Sequence, residues 1–151
     1  MTPIAIPHEV RAWVYAQAVA AYPAECCGYL VGPADGVAVD TGVACRNALE
    51  DDDAPAIAPD RRVETGFVIA GAELLRFARA FDTDRPPRIV YHSHTNGRAY
   101  FSELDRAMAA GPTYPVQHLV VGVALRTVTE AAQFAWSETQ RDYVEVARWT
   151  P

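Results

Sequence analysis

The sequence is poor in cysteine and in positive charge, and each shortage excludes a class of protein. Its three cysteines, two of them adjacent as Cys26 and Cys27, form no disulfide framework and lack the Cys-x-x-Cys spacing of a structural zinc site. We expect them to be reduced thiols of the core. The net charge of -6 and the isoelectric point near 5.1 argue against a nucleic-acid partner, because such proteins concentrate arginine and lysine on one surface.

The sequence also lacks a long apolar run. No segment approaches the roughly 20 apolar residues that cross a bilayer, and residues 1–7 have no basic region followed by an apolar stretch. We therefore expect a cytoplasmic protein with no membrane partner. Its 151 residues, 50% of them hydrophobic, suit one compact domain over residues 1–151. The oligomeric state is left open.

Periodicity and turn residues predict an irregular alternation of helices and strands. Apolar residues at helical spacing predict helices at 7–22 and 72–81, and a Ser-x-x-Asp start with a Gly-Pro end predicts another between Ser102 and Gly111. β-Compatible runs predict strands at 26–31, 37–44, 88–93, 116–124, 127–136 and 143–149, of which the last also fits a helix. The first two form a hairpin, and residues 49–62 form a mobile surface loop near or over a site. This order favours an α/β fold on a mixed sheet.

Two histidines stand at the end of the predicted strand at 88–93. Side chains at i and i+2 of a strand point to the same face, so His92 and His94 can offer both imidazoles to one ion. After seven intervening residues comes Ser102-x-x-Asp105, and a random order of the chain gives the whole spacing on the order of 10⁻⁴ times. A catalytic zinc takes three protein ligands and leaves one position for water. Asp105, in the first turn of a helix, is the natural third ligand.

Each of these residues also has an ordinary structural interpretation. Ser102 is an N-cap that stabilises a helix by about 1 kcal/mol, and Asp105 is a first-turn acid favoured by the helix dipole. The isolated His8 and His118 are interpreted as structural histidines. A zinc-activated water also needs a base, and Glu25, which precedes an apolar run, is the best candidate. From the residues alone, its position fits a structural acid equally well.

Residues 23–33, Pro-Ala-Glu-Cys-Cys-Gly-Tyr-Leu-Val-Gly-Pro, and the later His-x-His-x7-Ser-x-x-Asp resemble the JAMM (MPN-plus) metalloproteases. The signature of that family is a Glu near the N-terminus followed by the same spacing, and the resemblance covers most of the chain. It implies a single MPN/JAB domain of cytidine-deaminase-like fold, with a mixed sheet flanked by helices. It also implies five site residues: the Zn²⁺ ligands His92, His94 and Asp105, the general base Glu25 and the oxyanion donor Ser102.

Within this family, the chain is most similar to bacterial peptidases that remove cysteine from the C-terminus of a ubiquitin-like sulfur-carrier protein. The similarity lies in its small size and in the sequence Tyr-His-Ser-His-Thr. The resemblance implies hydrolysis of the bond after the Gly-Gly tail of such a carrier, with the tail docked beside an edge strand by β-augmentation. Asn47 falls where the family often has Asn, whereas Thr95 and Phe101 replace prolines of many members. We expect Tyr100 and Phe101 to reshape the substrate channel.

Three other interpretations fit part of the pattern. PHP-type metal-dependent phosphoesterases also open with His-x-His-Thr, but they need several further ligands, and the one histidine after His94 is His118. A noncatalytic MPN module would bind a ubiquitin-like partner without cleaving it, but such modules lack the ligands that are all present here. A DNA-repair-associated relative of the fold is disfavoured by the acidic charge and by Ser93 in place of Asn.

Overall fold

The computed structural model describes residues 1–50 and 66–151, with only the backbone of Glu50. Three α-helices lie within these residues: α1 (His8–Ala21), α2 (Gly71–Ala80) and α3 (Glu103–Ala109). Six strands lie among them: β1 (Cys27–Val31), β2 (Thr41–Cys45), β3 (Pro87–His94), β4 (Gln117–Ala124), β5 (Thr127–Ser137) and β6 (Asp142–Trp149). No helix in these two stretches is long and apolar enough to cross a membrane.

The six strands form one mixed sheet in the order β2-β1-β3-β4-β5-β6. Strands β3 and β4 run parallel, and the other neighbouring pairs run antiparallel. The predicted α/β fold on a mixed sheet is therefore confirmed. The antiparallel register of β6 against β5 also shows that the segment at 143–149 is a strand and not a helix. Among the described strands, the two edges of the sheet are β2 and β6.

Helix α1 covers one face of the sheet. Its buried residues Val10, Val14 and Ala18 recur every four positions and pack in one cluster with Ile89 and Tyr91 of β3. This is the apolar stripe of an amphipathic helix that buries one side. The helix therefore forms because its period matches the apolar surface of the sheet beneath it.

The opposite face of the sheet carries the alternate residues of β3. Because successive side chains of a strand point to opposite faces, Val90, His92 and His94 lie away from α1. Phe77 of α2 packs in the cluster that contains Val90, and Ala109 of α3 packs on the neighbouring cluster. The two histidines thus lie on the face that α2 and α3 cover.

One predicted strand begins later than expected. The sequence predicts a strand at 37–44, but β2 begins only at Thr41. The backbone before it bonds instead to the N-terminal segment, where Ala5 N–H donates to Val37 O at 2.8 Å and Val39 N–H donates to Ala5 O at 3.0 Å. A partner far along the chain, which the local pattern does not reveal, has taken the hydrogen bonds that the hairpin would have used.

The other boundaries agree with the predicted ones to within two residues. The predicted loop at 49–62 starts with a 3-10 turn at Ala48–Glu50, and the part of it from residue 51 onward lies outside the described residues. The hydrophobic period and the turn residues thus locate the elements, whereas the pairing partner decides where a strand begins.

We predict that Gly28→Ala destabilises the fold by about 2 to 3 kcal/mol, the cost of overpacking a core. A Cβ at Gly28 in β1 would lie 2.3 Å from the Val43 carbonyl oxygen and 2.4 Å from the Tyr91 hydroxyl oxygen. Strands on both sides fix these atoms. Urea unfolding measures the change, and Gly36→Ala, whose Cβ would meet only Pro33 at 3.3 Å, is the control. Equal stability of the two variants would contradict the prediction.

Candidate metal centre

The structure brings three predicted ligands together where β3 ends and α3 begins. His92 and His94 lie on the same face of β3, and their Nε2 atoms are 3.2 Å apart. The carboxylate of Asp105, the third residue of α3, lies 3.1 Å from His92 Nε2 through Oδ1 and 3.1 Å from His94 Nε2 through Oδ2. The three residues are 1%, 6% and 7% exposed. Within the described chain these are the only His, Cys, Asp or Glu side chains that cluster closely enough to hold one metal ion.

A hydrogen bond to the backbone indicates which ring nitrogen of His94 carries a proton. Nδ1 of His94 lies 3.1 Å from the carbonyl oxygen of Arg98. Because a carbonyl can only accept, Nδ1 carries a proton, and Nε2 is the nitrogen that faces Asp105, at 3.1 Å from its Oδ2. The ring of His92 stacks on Phe67 at a centroid distance of 4.6 Å, and its Nδ1 is buried without a hydrogen-bond partner in the described part of the chain. The two imidazoles therefore both present Nε2 to Asp105.

The start of α3 fixes the carboxylate. Asp105 N–H donates to Ser102 Oγ at 3.0 Å, and Ser102 N–H donates to Asp105 Oδ2 at 2.9 Å, which is a capping box. The helix start predicted at Ser102 is confirmed. The same two residues thus satisfy the helix terminus and aim a carboxylate at both histidines, so the structural interpretation of Ser102 and Asp105 is compatible with their predicted functional roles.

His92 and Asp105 shift each other's pKa. Burial would raise the pKa of Asp105, but the charges and hydrogen bonds of His92 and His94 hold that pKa far below its usual range. Burial would lower the pKa of His92, but the carboxylate of Asp105, together with the charge of Glu25, raises that pKa above its usual value. Asp105 is therefore an ionised carboxylate that faces both imidazoles.

Glu25 lies beside this cluster, two residues before β1. Cys27 pairs with His92 across the two strands, and Ser93 N–H donates to Cys26 O at 3.1 Å. In this antiparallel register the next position outward places Glu25 opposite His94. The side chain is 6% exposed, and its charge acts on His92. Glu25 is thus a buried acid at the site, although 67 positions (92 − 25) separate it from His92 in the sequence.

Two polar side chains hold the backbone of Glu25 in place. Cys26 N–H donates to Ser93 Oγ at 2.8 Å. The Asn47 amide donates to the carbonyl of Glu25 at 3.2 Å and to that of Gly66 at 2.9 Å. Asn47 is 4% exposed and so ties the segment before β1 to the chain that leads into α2. In the sequence, Ser93 and Asn47 are distinguished only by the family resemblance, because neither lies in a local pattern.

An apolar cavity of about 130 Å³ adjoins the cluster between α2 and α3. His92 and Asp105 form part of its wall. The rest is mainly apolar and aromatic, including Phe67, Phe77, Phe101, Met108, Tyr114 and Val116. Binding sites for organic groups have this composition, so the cavity offers room for an apolar group next to the candidate metal ligands.

The two residues expected to shape the substrate channel have different environments. Phe101 is 5% exposed and packs against Phe134 and Tyr143 as part of a core cluster. Tyr100 is 43% exposed, and its ring lies 4.7 Å from that of His94. Phe101 thus contributes to the cavity wall from within the core, while Tyr100 is the residue open to solvent beside the site.

His118 lies in the cavity wall between the rings of Phe101 and Tyr143, each 4.9 Å away. Burial, together with the charge of His92, lowers its pKa to about 3. The folded protein therefore keeps His118 neutral, whereas the unfolded chain protonates it below about pH 6.5. A folded-state pKa that is depressed in this way costs stability as the pH falls from the unfolded value toward the folded one.

We predict that His118 accounts for about 2 kcal/mol of stability lost between pH 7 and pH 5, the cost of protonating the unfolded chain over that interval. In His118→Leu this loss should disappear, because leucine does not titrate. Urea unfolding of the metal-free protein at both pH values measures the difference. An equal loss in the variant and the wild type would assign the acid sensitivity to other groups.

Comparisons with known proteins match most of the chain to one family and part of it to curated relatives. The family described as prokaryotic homologs of the JAB domain matches residues 7–138. A CysO-cysteine peptidase of Mycobacterium tuberculosis is 32% identical over 92 residues, which are 60% of this chain and 55% of that protein. The protein of the same name from Mycobacterium bovis matches equally well. The chain thus spans about half the length of these relatives.

Solved structures resemble the fold over nearly its full length. A protein from Desulfitobacterium hafniense superposes with a TM-score of 0.64 and 20% identity, covering 93% of this chain and 87% of that one. A protein from Salinibacter ruber gives 0.61 and 20%, with 96% and 88% covered. A JAB1/MPN domain protein from Archaeoglobus fulgidus gives 0.53 and 15%, with 97% and 96% covered. At these identities the likeness concerns the fold alone.

Proposed function

This chain belongs to the prokaryotic JAB family, and on that premise we propose that it is a zinc metallopeptidase. Its proposed reaction is hydrolysis of the bond after the C-terminal Gly-Gly of a ubiquitin-like sulfur-carrier protein, with release of an amino acid or a short peptide. The observation that carries the proposal is the convergence of His92, His94 and Asp105 on one point, with the buried Glu25 beside it.

The donor set fits zinc. Two imidazole nitrogens and one carboxylate oxygen are the ligands of a catalytic zinc site that keeps a fourth position for water. The hydrogen bond of His94 Nδ1 to the Arg98 carbonyl makes Nε2, which faces Asp105, the nitrogen that would bind the metal, as the carbonyl partners of zinc-bound histidines commonly do. When bound, zinc would polarise the scissile carbonyl and make water acidic enough to attack at neutral pH.

Two further residues would act on protons and charge. Glu25 would take the proton of the attacking water as general base and return it to the departing amine. Ser102 would stabilise the oxyanion through its hydroxyl hydrogen. Its capping bond uses Oγ as an acceptor from Asp105 N–H, and a serine hydroxyl still has one hydrogen to donate. Capping the helix and donating to the substrate are therefore compatible.

The substrate class rests on the similarity to the CysO-cysteine peptidases. An extended Gly-Gly tail has no side chains near the scissile bond, so it can approach a buried site closely. Of the two edges of the sheet, β2 is the one whose end leads directly to Asn47 and thus to Glu25. We propose that the tail docks along β2 by β-augmentation.

The proposal is tested with a sulfur-carrier protein that ends in Gly-Gly-Cys. Incubation with the zinc-loaded protein should shorten the carrier by one cysteine, as intact-mass measurement would show, and a carrier ending in Ala-Ala-Cys is the control. Binding without any loss of mass would favour a noncatalytic MPN module. Release of phosphate from a phosphoester in place of peptide cleavage would favour the phosphoesterase alternative. Cleavage that persists in His92→Ala would contradict the proposed metal chemistry.

A further inference from the structure

One peptide group lies between a candidate metal ligand and a distant carboxylate. The Arg98 carbonyl accepts from His94 Nδ1 at 3.1 Å. The N–H of the same peptide, that of Ala99, donates to Glu130 Oε2 on β5 at 2.7 Å. Both polar ends of the peptide unit are therefore used, one toward the site and one toward Glu130.

An arginine on β6 holds the carboxylate in this position. Arg148 Nη1 lies 3.0 Å from Glu130 Oε2, and its Nη2 donates to the Ala99 carbonyl at 2.8 Å. The guanidinium thus bridges the carboxylate and the next carbonyl of the same loop. The hydrogen bond from Ala99 N–H, followed by that from Arg148, holds the pKa of Glu130 below its usual value. Glu130 is therefore a carboxylate, not a carboxylic acid, at neutral pH.

The loop that carries this peptide lies directly on the sheet. A Cβ at Gly122 of β4 would stand 2.7 Å from the carbonyl carbon of Gly97 and 2.8 Å from the nitrogen of Arg98. Gly97 N–H donates to Val123 O at 3.0 Å, and Thr129 Oγ1 donates to the Gly97 carbonyl. The loop backbone has little room to shift, so a change at Glu130 acts on a peptide whose position is otherwise fixed.

We propose that Glu130 is a positioning residue for the metal centre, acting on His94 through the Arg98–Ala99 peptide. An ionised acceptor makes a stronger hydrogen bond than a neutral one, and hydrogen bonds in a chain polarise one another. The charge of Glu130 thereby strengthens the Arg98 carbonyl as an acceptor for Nδ1–H. This fixes the tautomer of His94 and makes Nε2 a better donor to a metal. The proposal rests on the proposed function in one respect, that His94 binds the metal.

The alternative is that Glu130 only anchors the loop. A comparison of variants at Glu130 and at the neighbouring Thr129 distinguishes the two roles. Glu130→Gln keeps an oxygen that accepts from Ala99 N–H but removes the charge. Thr129→Val removes a hydrogen bond to the same loop, at Gly97, but leaves the peptide next to Glu130 unchanged. If Glu130 only anchors the loop, Thr129→Val should weaken zinc binding more than Glu130→Gln does. If Glu130 has the proposed role, Glu130→Gln should weaken zinc binding more.

Zinc affinity, measured by competition with a chromophoric chelator, tests the proposal without any use of peptidase activity. We expect Glu130→Gln to weaken zinc binding about tenfold, the lower range for the partner of a metal-bound histidine, and Glu130→Ala to weaken it at least as much. Thr129→Val and Glu138→Gln, a surface residue paired with Arg141, should stay within twofold of the wild type. The visible spectrum of the cobalt-loaded Glu130→Gln protein should shift as well.

Urea unfolding of each metal-free variant accompanies these measurements, so that a loss of folding is recognised. A zinc affinity of Glu130→Gln within twofold of the wild type overturns the proposal. An equal weakening by Thr129→Val also overturns it. If the wild type binds zinc but cleaves no carrier, the proposed substrate is wrong and the role of Glu130 still stands or falls on affinity alone. A wild type that binds no zinc overturns both proposals.

Discussion

Glu25→Gln is expected to lower kcat/KM for the carrier protein by about 10²- to 10⁴-fold, the range for loss of a general acid–base group, while zinc stays bound. Glutamine has nearly the same shape as glutamate but cannot take a proton from water at neutral pH. Cleavage of the Gly-Gly-Cys carrier, followed by mass over a range of substrate concentrations, measures the loss. Zinc content, measured on the same samples, should remain at the wild-type level.

The retention of zinc follows from the contacts of Glu25. Its side chain is not among the three that converge on one point, and the bond from Asn47 reaches its backbone carbonyl, which the substitution leaves intact. The matched control is Glu103→Gln, an exposed acid in the first turn of α3 two residues before Asp105. Wild-type rates in Glu25→Gln would remove Glu25 from the mechanism, and loss of zinc would recast it as a ligand.

The parts of the site that could be predicted are those whose chemistry leaves a short pattern in the chain. Alternation on a strand puts His92 and His94 on one face, and the capping box of Ser102 and Asp105 is a local motif. Both appear in the structure as expected. The same holds for helix α1, whose apolar period alone locates it. Local geometry is sufficient wherever the interacting residues are near neighbours in sequence.

Features that depend on distant partners could not be predicted in this way. Because Ala5 N–H donates to Val37 O, β2 begins later than the sequence predicts. No local pattern in the sequence indicates this hydrogen bond. Glu130 and Arg148 act on the loop after His94 from two strands that follow much later. A charged residue on a strand ordinarily faces solvent, so neither has a distinguishing signal in the sequence. The sheet order, which only the fold supplies, brings them to the site.

His92→Ala is expected to abolish the stabilisation of the protein by zinc. A ligand that binds only the folded state adds about 4 kcal/mol at a concentration of 1,000 Kd, and removal of one of three protein ligands should eliminate most of that gain. Thermal unfolding with and without added zinc measures it. His8→Ala, an exposed histidine of α1, is the control and should behave as the wild type does. A full zinc response in His92→Ala would place the metal elsewhere.

The response should also depend on pH, and its sign follows from His92. In the metal-free protein, the charge of Asp105 raises the pKa of His92. The pair therefore contributes stability that is present below the unfolded pKa of histidine and is lost as the pH rises through the folded one. Zinc requires the neutral imidazole, so its binding releases a proton and strengthens as the pH rises. The zinc-dependent gain in stability should thus be larger at pH 8 than at pH 6. His92→Ala, which is expected to lose the zinc response, should show no such difference.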